Sequence, residues 1–288
     1  MGLFDLKTGK ETKKSEKKIK KLNLNRKVIN EDIDSFIMPN DKLYKYISKL
    51  VIDRTTDKEI IFGTDSYDCD AREPMTEESV RVLLESRELS PRVYKSLQKQ
   101  KARTKDKAEV FTPSWVCNEM INMCEPPKDW KKLVSSTWLE ITCGEAPYIT
   151  SNYDTVSGED IEIDKRIGIL DRKLLAINKN IDDKKEWTRW AKTAMKSVYG
   201  YEFQGDNLFI ARVNVIRCFI SFYVDKWGKQ PDKKLLDEIV DIVSWNFWQM
   251  DGLKDVIPFT NNTYAKIRDW NVKSEDSILE FRYLKVNL

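Results

Sequence analysis

Hydrophobic residues in the first third of the chain recur every three or four positions on a charged background, a spacing that predicts short helices. The clearest series consists of Leu43, Tyr46, Ile47, Leu50 and Val51. Residues 30–105 are therefore expected to form a small N-terminal helical subdomain.

From residue 108 onward, short β-like segments alternate with longer segments of helical periodicity. The predicted strands cover residues 137–142, 197–203 and 244–249. The predicted helices cover residues 165–181, 186–197 and 206–226, and another begins at Pro231. One more helix is expected to start with Thr112 as its N-cap and Pro113 as its first helical residue. This alternation is typical of a doubly wound sheet, so we expect an α/β domain over residues 106–262.

The formal net charge is only +3, but the basic residues are clustered. Residues 1–29 are dense in lysine and poor in apolar residues, which predicts a disordered, solvated basic arm. Such an arm also attracts phosphate without any defined geometry. A second cluster is a candidate contact with nucleic acid, although a solvated helix face explains it equally well. Its members include Lys99, Lys101, Arg103 and Lys105.

The composition excludes several kinds of chemistry. The sequence has no histidine, which rules out a histidine general base and any Ser-His or Cys-His nucleophile. Its five cysteines are scattered without a Cys-x-x-Cys pair, so neither a metal site nor a disulfide framework is expected. No run of about 18 apolar residues and no apolar N-terminal leader is present, so we expect a cytoplasmic protein that does not span a membrane.

Three short motifs follow one another at predicted strand or helix ends. They are Ala108-Glu109-Val110-Phe111-Thr112-Pro113, Leu139-Glu140-Ile141-Thr142-Cys143-Gly144-Glu145 and Val198-Tyr199-Gly200-Tyr201-Glu202. In this order they resemble the cofactor-binding half of an S-adenosylmethionine-dependent adenine-N6 DNA methyltransferase of restriction-modification systems. Each motif alone is a weak signal, but their order and positions agree with one another. The resemblance implies an incomplete Rossmann-like methyltransferase sheet that binds S-adenosylmethionine.

The second motif resembles the glycine-containing loop that the family usually writes as Asp-Pro-Ala-Cys-Gly-Ser-Gly-x-Phe. Glu140 stands at the acidic position, Cys143 and Gly144 are in register, and Tyr148 stands at the aromatic position. The match is partial, because Ile141 replaces the proline and Ala146 replaces the later glycine. Alanine is a poor substitute if that position must be left-handed.

The resemblance also assigns roles to residues outside this loop. Glu202, at the end of the second predicted strand, is the acid expected to accept hydrogen bonds from the ribose of the cofactor. Asp251 resembles the acid that faces the adenine amino group. Phe111, Thr112 and Pro113 resemble the N-terminal motif, whose helix start lies against the methionine moiety and its carboxylate.

The family holds its flipped target adenine with an Asn/Asp-Pro-Pro-aromatic tetrapeptide, which is missing from this sequence. Pro126-Pro127 follows Glu125 and lies before the glycine turn, so it cannot serve. No catalytic residue is therefore assigned. We expect DNA methylation to require a second polypeptide that supplies this motif and target recognition. We also expect the sheet to end in an unpaired strand edge. Residues 263–288 are expected to form a tail or an edge strand.

Two other interpretations compete with a split methyltransferase subunit that is inactive alone. The altered glycine turn favours a catalytically inactive methyltransferase-like protein that binds DNA or another protein. The basic segments favour a structural or nucleic-acid-binding α/β protein whose motifs are coincidental. The combined order of the motifs favours the split methyltransferase.

Overall fold

The N-terminal part of the described chain combines short helices with a small hairpin. The computed structural model describes residues 41–96, 112–272 and 277–285, together with Ile37, Pro39 and Thr104. Its first elements are a 3-10 turn (Tyr44–Tyr46), helix α1 (Ile47–Leu50), the antiparallel strands β1 (Ile52–Asp53) and β2 (Lys58–Glu59), and helix α2 (Glu77–Glu85). The predicted basic arm and the basic cluster from Lys99 to Lys105 lie outside the described residues.

A three-stranded parallel sheet forms the centre of the α/β part. Its strands are β3 (Trp138–Glu140), β4 (Val198–Glu202) and β5 (Phe247–Gln249), and β4 lies between the other two. Two helices connect each strand to the next, as parallel pairing requires. The protein therefore has a mixed α/β fold with a parallel sheet, and the sequence located all three strands.

Helices precede the first strand of this sheet and connect its strands. They are α3 (Ser114–Met123), α4 (Trp130–Ser135), α5 (Ile169–Asn180), α6 (Lys184–Lys196), α7 (Gly205–Trp227) and α8 (Lys233–Asn246). Asp183 and Asp232 cap α6 and α8, because each carboxylate accepts a backbone N–H from the first turn. By length and composition α7 could cross a membrane, but 89% of its most apolar window is buried, as in the core helix of a folded domain.

Several predicted boundaries are wrong by one to four residues. The helix predicted from residue 165 begins at Ile169, and the helix predicted from Pro231 begins at Lys233. The strand predicted from residue 244 starts only at Phe247, because the N–H of Phe247 still donates to the carbonyl of Val243 and so completes the last turn of α8. The helix predicted to begin at Pro113 begins at Ser114, with Pro113 as its N-cap in an extended conformation. Thr112 therefore does not cap this helix.

Arg212 joins the N-terminal segment to the sheet. Its side chain is fully buried, and its guanidinium donates to the carbonyls of Ile52 at 3.0 Å and Phe247 at 2.9 Å. Burial lowers the pKa of Arg212 to about 10, which still leaves it charged at neutral pH. A buried charge is tolerated only when such acceptors surround it, so this arginine fixes the β1 region against the start of β5.

The last described residues form a separate antiparallel hairpin. Strands β6 (Lys266–Arg268) and β7 (Ile278–Glu280) pair with each other, and the short helix α9 (Arg282–Lys285) follows. The ring of Phe281 packs against Tyr201 and Trp248, with centroids 5.8 and 5.2 Å away. The hairpin thus covers aromatic residues of β4 and β5 and does not add a strand to the parallel sheet.

Candidate functional site

A cavity of about 1210 Å³ opens where β3 and β4 end. Outside the carboxyl ends of parallel strands is where open α/β sheets bind their ligands. Six of the nine residues that the sequence assigned to the cofactor line this cavity. They are Thr112, Glu140, Cys143, Gly144, Tyr148 and Glu202. The structure therefore brings residues from three separate motifs to one place.

Two other assigned residues, Pro113 and Asp251, do not line the cavity. The third, Phe111, lies outside the described residues. Pro113 occupies the N-cap of α3. Asp251 organises the turn after β5, because its carboxylate accepts the N–H of Leu253 at 3.0 Å and its N–H donates to the carbonyl of Val256. Asp251 is therefore not placed to contact a molecule in this cavity.

The turn between β3 and the rest of the cavity wall is strained. Thr142, Gly144 and Ala146 have φ angles of 48°, 52° and 63°, the left-handed region that glycine tolerates best. Ala146, which replaces the expected glycine, therefore has a backbone conformation that is unfavourable for alanine. Strain of this kind persists only where the surrounding structure enforces it, and it is concentrated at functional sites.

Glu202 enforces the shape of this turn. Its carboxylate accepts the backbone N–H of Gly144 at 2.8 Å, and the N–H groups of Phe203 and Gln204 at 3.0 and 3.1 Å. Burial raises the pKa of Glu202, although these three hydrogen bonds oppose the shift. A carboxylate has about four acceptor positions, so one remains for a ligand hydroxyl.

Glu140 presents an oxygen without a partner. Its Oε1 accepts the N–H of Tyr148 at 3.3 Å, whereas its buried Oε2 has no hydrogen-bond partner. Burial raises the pKa of Glu140 to about 8, and the neighbouring charge of Glu202 adds to this shift. An unsatisfied buried carboxylate oxygen costs about 1–3 kcal/mol, a cost that a donor on a bound ligand would remove.

The charge of the cavity wall selects among ligands. The lining contains Glu140, Glu145 and Glu202, and no lysine or arginine among its described residues. Glu145 is engaged by the N–H of Arg92 and by the hydroxyl of Tyr153. The carboxyl groups of Glu140 and Glu202 disfavour a free phosphate, which needs basic side chains or open amides. They favour a cationic ligand when ionised, which for Glu140 requires a pH near or above its pKa of about 8.

Neither metal nor thiolate chemistry is supported by this geometry. Within the described residues, no group of three or more cysteine, aspartate or glutamate side chains could hold a metal ion. Burial raises the pKa of Cys143 well above its usual range and that of Cys117 to about 12. Both thiols therefore stay protonated at neutral pH, so neither is an activated nucleophile.

The N-terminus of α3 already has an anionic partner. The N–H of Ser114 donates to Asp154 Oδ2 at 3.1 Å. Burial alone would raise the pKa of Asp154, but hydrogen bonds from Ser114, Ser157 and Val156 lower it to about 2. The carboxylate of Asp154 thus competes with the ligand carboxylate that the sequence led us to expect at this helix start.

Sequence reasoning missed the wall of the cavity opposite β3. Gly63 and Ala71 reach it from the N-terminal segment, and Phe203 and Phe259 line the same end. Phe259 is 48% exposed with a φ of 61°, and its ring lies 5.5 Å from that of Phe203. Only Phe203 carried a signal, because it directly follows Glu202. The others reach the cavity through tertiary packing.

Comparisons with known proteins give no relative to set beside this geometry: no protein-family model matches the chain, and neither curated proteins nor solved structures give a significant match.

Proposed function

We propose that this chain is the S-adenosylmethionine-binding subunit of a split DNA adenine-N6 methyltransferase, with an incomplete Rossmann-like methyltransferase domain. The observation that carries this proposal is the cavity at the ends of β3 and β4, where Glu140 and Glu202 meet without a lysine or arginine in the described wall. S-adenosylmethionine carries a sulfonium and an ammonium group and no phosphate, so it suits such a wall better than a dinucleotide does.

The residues in the cavity divide into two groups in this proposal. Glu140 Oε2, which has no partner, accepts a hydrogen bond from the cofactor ammonium. Glu202 uses its remaining acceptor position for a ribose hydroxyl. When bound, the cofactor supplies an electrophilic methyl group. This chain contributes its orientation and the exclusion of water, and no described residue is assigned to the target base.

A second polypeptide has a place to bind beside the cavity. Four consecutive residues, 138–141, line the cavity, which means that the edge of β3 and not only one face borders it. Trp138 donates its N–H to the carbonyl of Ser197, directly before β4. The N–H and C=O of the next residue, Leu139, therefore point away from β4, and no described strand pairs with them. Ile141 is 64% exposed next to this edge. An unpaired edge with apolar neighbours favours the addition of a strand from another chain.

Titration calorimetry with S-adenosylmethionine tests the cofactor assignment. Wild type should bind with micromolar affinity, about −8 kcal/mol. At pH 8.5, where Glu140 is mostly ionised, Glu140→Gln should weaken binding at least tenfold, whereas Asp251→Asn, outside the cavity wall, should bind as wild type does. In a Cys69→Ser background, the exposed Cys124, which lines the cavity, should react more slowly with a maleimide when the cofactor is present. Equal binding by wild type and Glu140→Gln would contradict the assignment.

The split-enzyme part of the proposal needs a separate experiment. DNA methylation should appear only when this chain is mixed with a polypeptide that carries an Asn/Asp-Pro-Pro-aromatic motif on a hydrophobic strand. Methyl transfer from labelled S-adenosylmethionine to adenine in duplex DNA is the measurement. Leu139→Pro, which removes the outward N–H, should reduce assembly with that polypeptide. Because Leu139 also lines the cavity, cofactor affinity is measured in parallel, and assembly should fall more than cofactor affinity does. Methylation by this chain alone would overturn the split mechanism.

A catalytically inactive methyltransferase-like module is the second candidate. The left-handed Thr142 and Ala146 favour it, because neither is a glycine in the turn that should approach the cofactor. This candidate predicts no heat of binding with S-adenosylmethionine, no protection of Cys124, and DNA or protein binding that the cofactor does not change. Micromolar cofactor binding that depends on Glu140 would exclude it.

A further inference from the structure

A second surface combines cations and aromatic rings at the opposite end of the parallel sheet. Strands β4 and β5 begin there, directly after helices α6 and α8. The guanidinium of Arg268 lies 4.6 Å from the ring centre of Trp270 and 5.9 Å from that of Trp245. The ammonium of Lys196 lies 4.8 Å from the ring of Trp270. Cations and indoles therefore alternate across this surface, which we call the Arg268 surface.

The Arg268 surface is held rigidly by the fold. The indole N–H of Trp270 donates to Asn246 Oδ1 at 2.7 Å. Asn246 is fully buried, and its amide donates to the carbonyls of Met195 and Val198. The backbone carbonyl of Arg268 accepts the hydroxyl of Tyr199 at 3.2 Å. Stacking on the anchored indole of Trp270 orients the guanidinium in advance, which lowers the entropy cost of binding a ligand.

Within the part of the chain that the structure describes, the two central cations have no anionic partner. Arg268 and Lys196 make no side-chain hydrogen bond or ion pair with described residues, and both are only half-buried. Nearby carboxylates have other partners. Asp241 pairs with Arg54 at 2.6 Å, Glu238 pairs with Lys192 at 2.9 Å, and Asp269 accepts the N–H of Asn271 at 2.9 Å. Burial lowers the pKa of Lys196, and the charges of Lys192 and Arg268 lower it further, whereas the charge of Glu238 opposes this shift.

The simplest alternative is that these cations only stabilise helix C-termini. Lys196 is the last residue of α6, where a cation is favourable. That explanation does not extend to Arg268, which lies on strand β6 and stacks on side chains. A fixed guanidinium with free N–H donors is the group that proteins use to bind phosphate oxygens. An open surface of this kind, without a pocket, fits an extended polyanion.

We propose that the Arg268 surface binds the phosphodiester backbone of DNA, at the end of the sheet opposite the cofactor cavity. The contact does not depend on base sequence. Cations already lie over the indole rings of Trp245 and Trp270, so these rings do not stack on bases. It holds DNA on the protein through charge and is independent of whether the cavity binds S-adenosylmethionine. Backbone contacts of this kind supply affinity and position, and leave sequence recognition to other groups.

Fluorescence anisotropy with a labelled duplex of about 20 base pairs tests this proposal at several salt concentrations. Arg268→Glu and Lys196→Glu should each weaken binding about five- to tenfold and reduce the salt dependence by about one counterion. The matched control is Lys234→Glu, an exposed lysine in the first turn of α8, about 16 Å along the helix from Trp245. This control should bind as wild type does, since it makes the same charge change elsewhere.

Binding to a single-stranded DNA of the same length distinguishes contacts with the phosphate backbone from contacts with the bases. Equal losses with duplex and single strand support a phosphate contact, whereas a loss confined to the single strand would overturn it in favour of base stacking. Equal affinities of Arg268→Glu and Lys234→Glu for duplex would also overturn the proposal, as would a loss seen only with anionic lipid vesicles. Urea unfolding of each variant verifies that the fold is intact, and cofactor titration should be unchanged by Arg268→Glu.

Discussion

The carboxylate of Glu202 accepts the backbone N–H of Gly144 at 2.8 Å, which joins the end of β4 to the turn that follows β3. The same carboxylate also accepts the N–H groups of Phe203 and Gln204. Glu202 is therefore a structural acid as well as a candidate ligand contact. A variant at this position changes the shape of the cavity together with any hydrogen bond to a ligand.

Glu202→Ala should consequently destabilise the protein by roughly 2–4 kcal/mol, because three backbone donors lose their acceptor in a buried site. Urea unfolding at pH 7 measures this loss. Glu119→Ala, at an exposed position on α3, is the control and should stay within about 0.5 kcal/mol of wild type. A stability loss below about 1 kcal/mol would show that solvent replaces the carboxylate and that Glu202 does not hold the turn.

Glu140 offers a cleaner test of ligand binding, because its Oε2 has no partner to lose. The pKa of about 8 means that Glu140 is mostly protonated at pH 6.5 and mostly ionised at pH 9. A cationic ligand binds the ionised form. The ratio of wild-type to Glu140→Gln association constants should therefore rise about thirtyfold across this range, in step with the ionised fraction of Glu140. Taking the ratio at each pH removes the effects of pH that act on both proteins alike. A ratio that does not vary with pH would show that the ligand does not contact this carboxyl group.

The same carboxyl group sets a pH dependence of stability. Its folded pKa of about 8 lies above the ordinary value, so the native state retains a proton that the unfolded state releases. The stability that this proton contributes is present at low pH, falls as pH rises from about 4.3, and is lost near pH 8. Glu140→Gln should therefore gain roughly 4 kcal/mol over wild type at pH 8.5 relative to pH 5. Urea titrations at the two pH values give this difference. A constant offset between the two proteins would contradict it.

How far the sequence predicts this structure follows from the kind of interaction involved. Strand-end acids such as Glu140 and Glu202 were predictable as neighbours, because the carboxyl ends of adjacent parallel strands meet at one edge. The end of α8 was misplaced because Trp245 and Phe247 carry β-type composition on both sides of the boundary, and only the hydrogen bond from Phe247 to Val243 decides it. Phe259 reaches the cavity through tertiary packing, which no local pattern encodes.

The left-handed turn was predictable only in part. A glycine such as Gly144 signals a positive φ, whereas Thr142 and Ala146 adopt it against their own preference. Such strain depends on contacts from elsewhere, here the Glu202 carboxylate and the burial of Ala146. Local sequence signals fail at positions where the rest of the fold overrides them, and these positions are concentrated at candidate sites.

The strain at Thr142 can be measured directly, since its side chain is exposed and bonds only to the adjacent carbonyl of Ile141. Thr142→Gly should stabilise the protein by about 1 kcal/mol relative to Thr142→Ala, because both variants lose the hydroxyl and only glycine relaxes the left-handed backbone. Urea unfolding of the two variants gives the difference. Should alanine prove equal to glycine or better, the turn is not strained at this residue.

Close packing explains why the middle residue of β4, Gly200, is a glycine. A Cβ atom at this position would lie 2.9 Å from the ring of Phe247 and 3.2 Å from Cβ of Cys143. Gly200→Ala should therefore cost about 1–3 kcal/mol through overpacking beneath the cavity. Phe247→Leu removes the ring that the new methyl group meets, so Gly200→Ala should cost at least about 1 kcal/mol less in that background. Unfolding free energies of the four proteins complete the cycle. Additive losses would show that the glycine is required by the β4 backbone and not by its contact with Phe247.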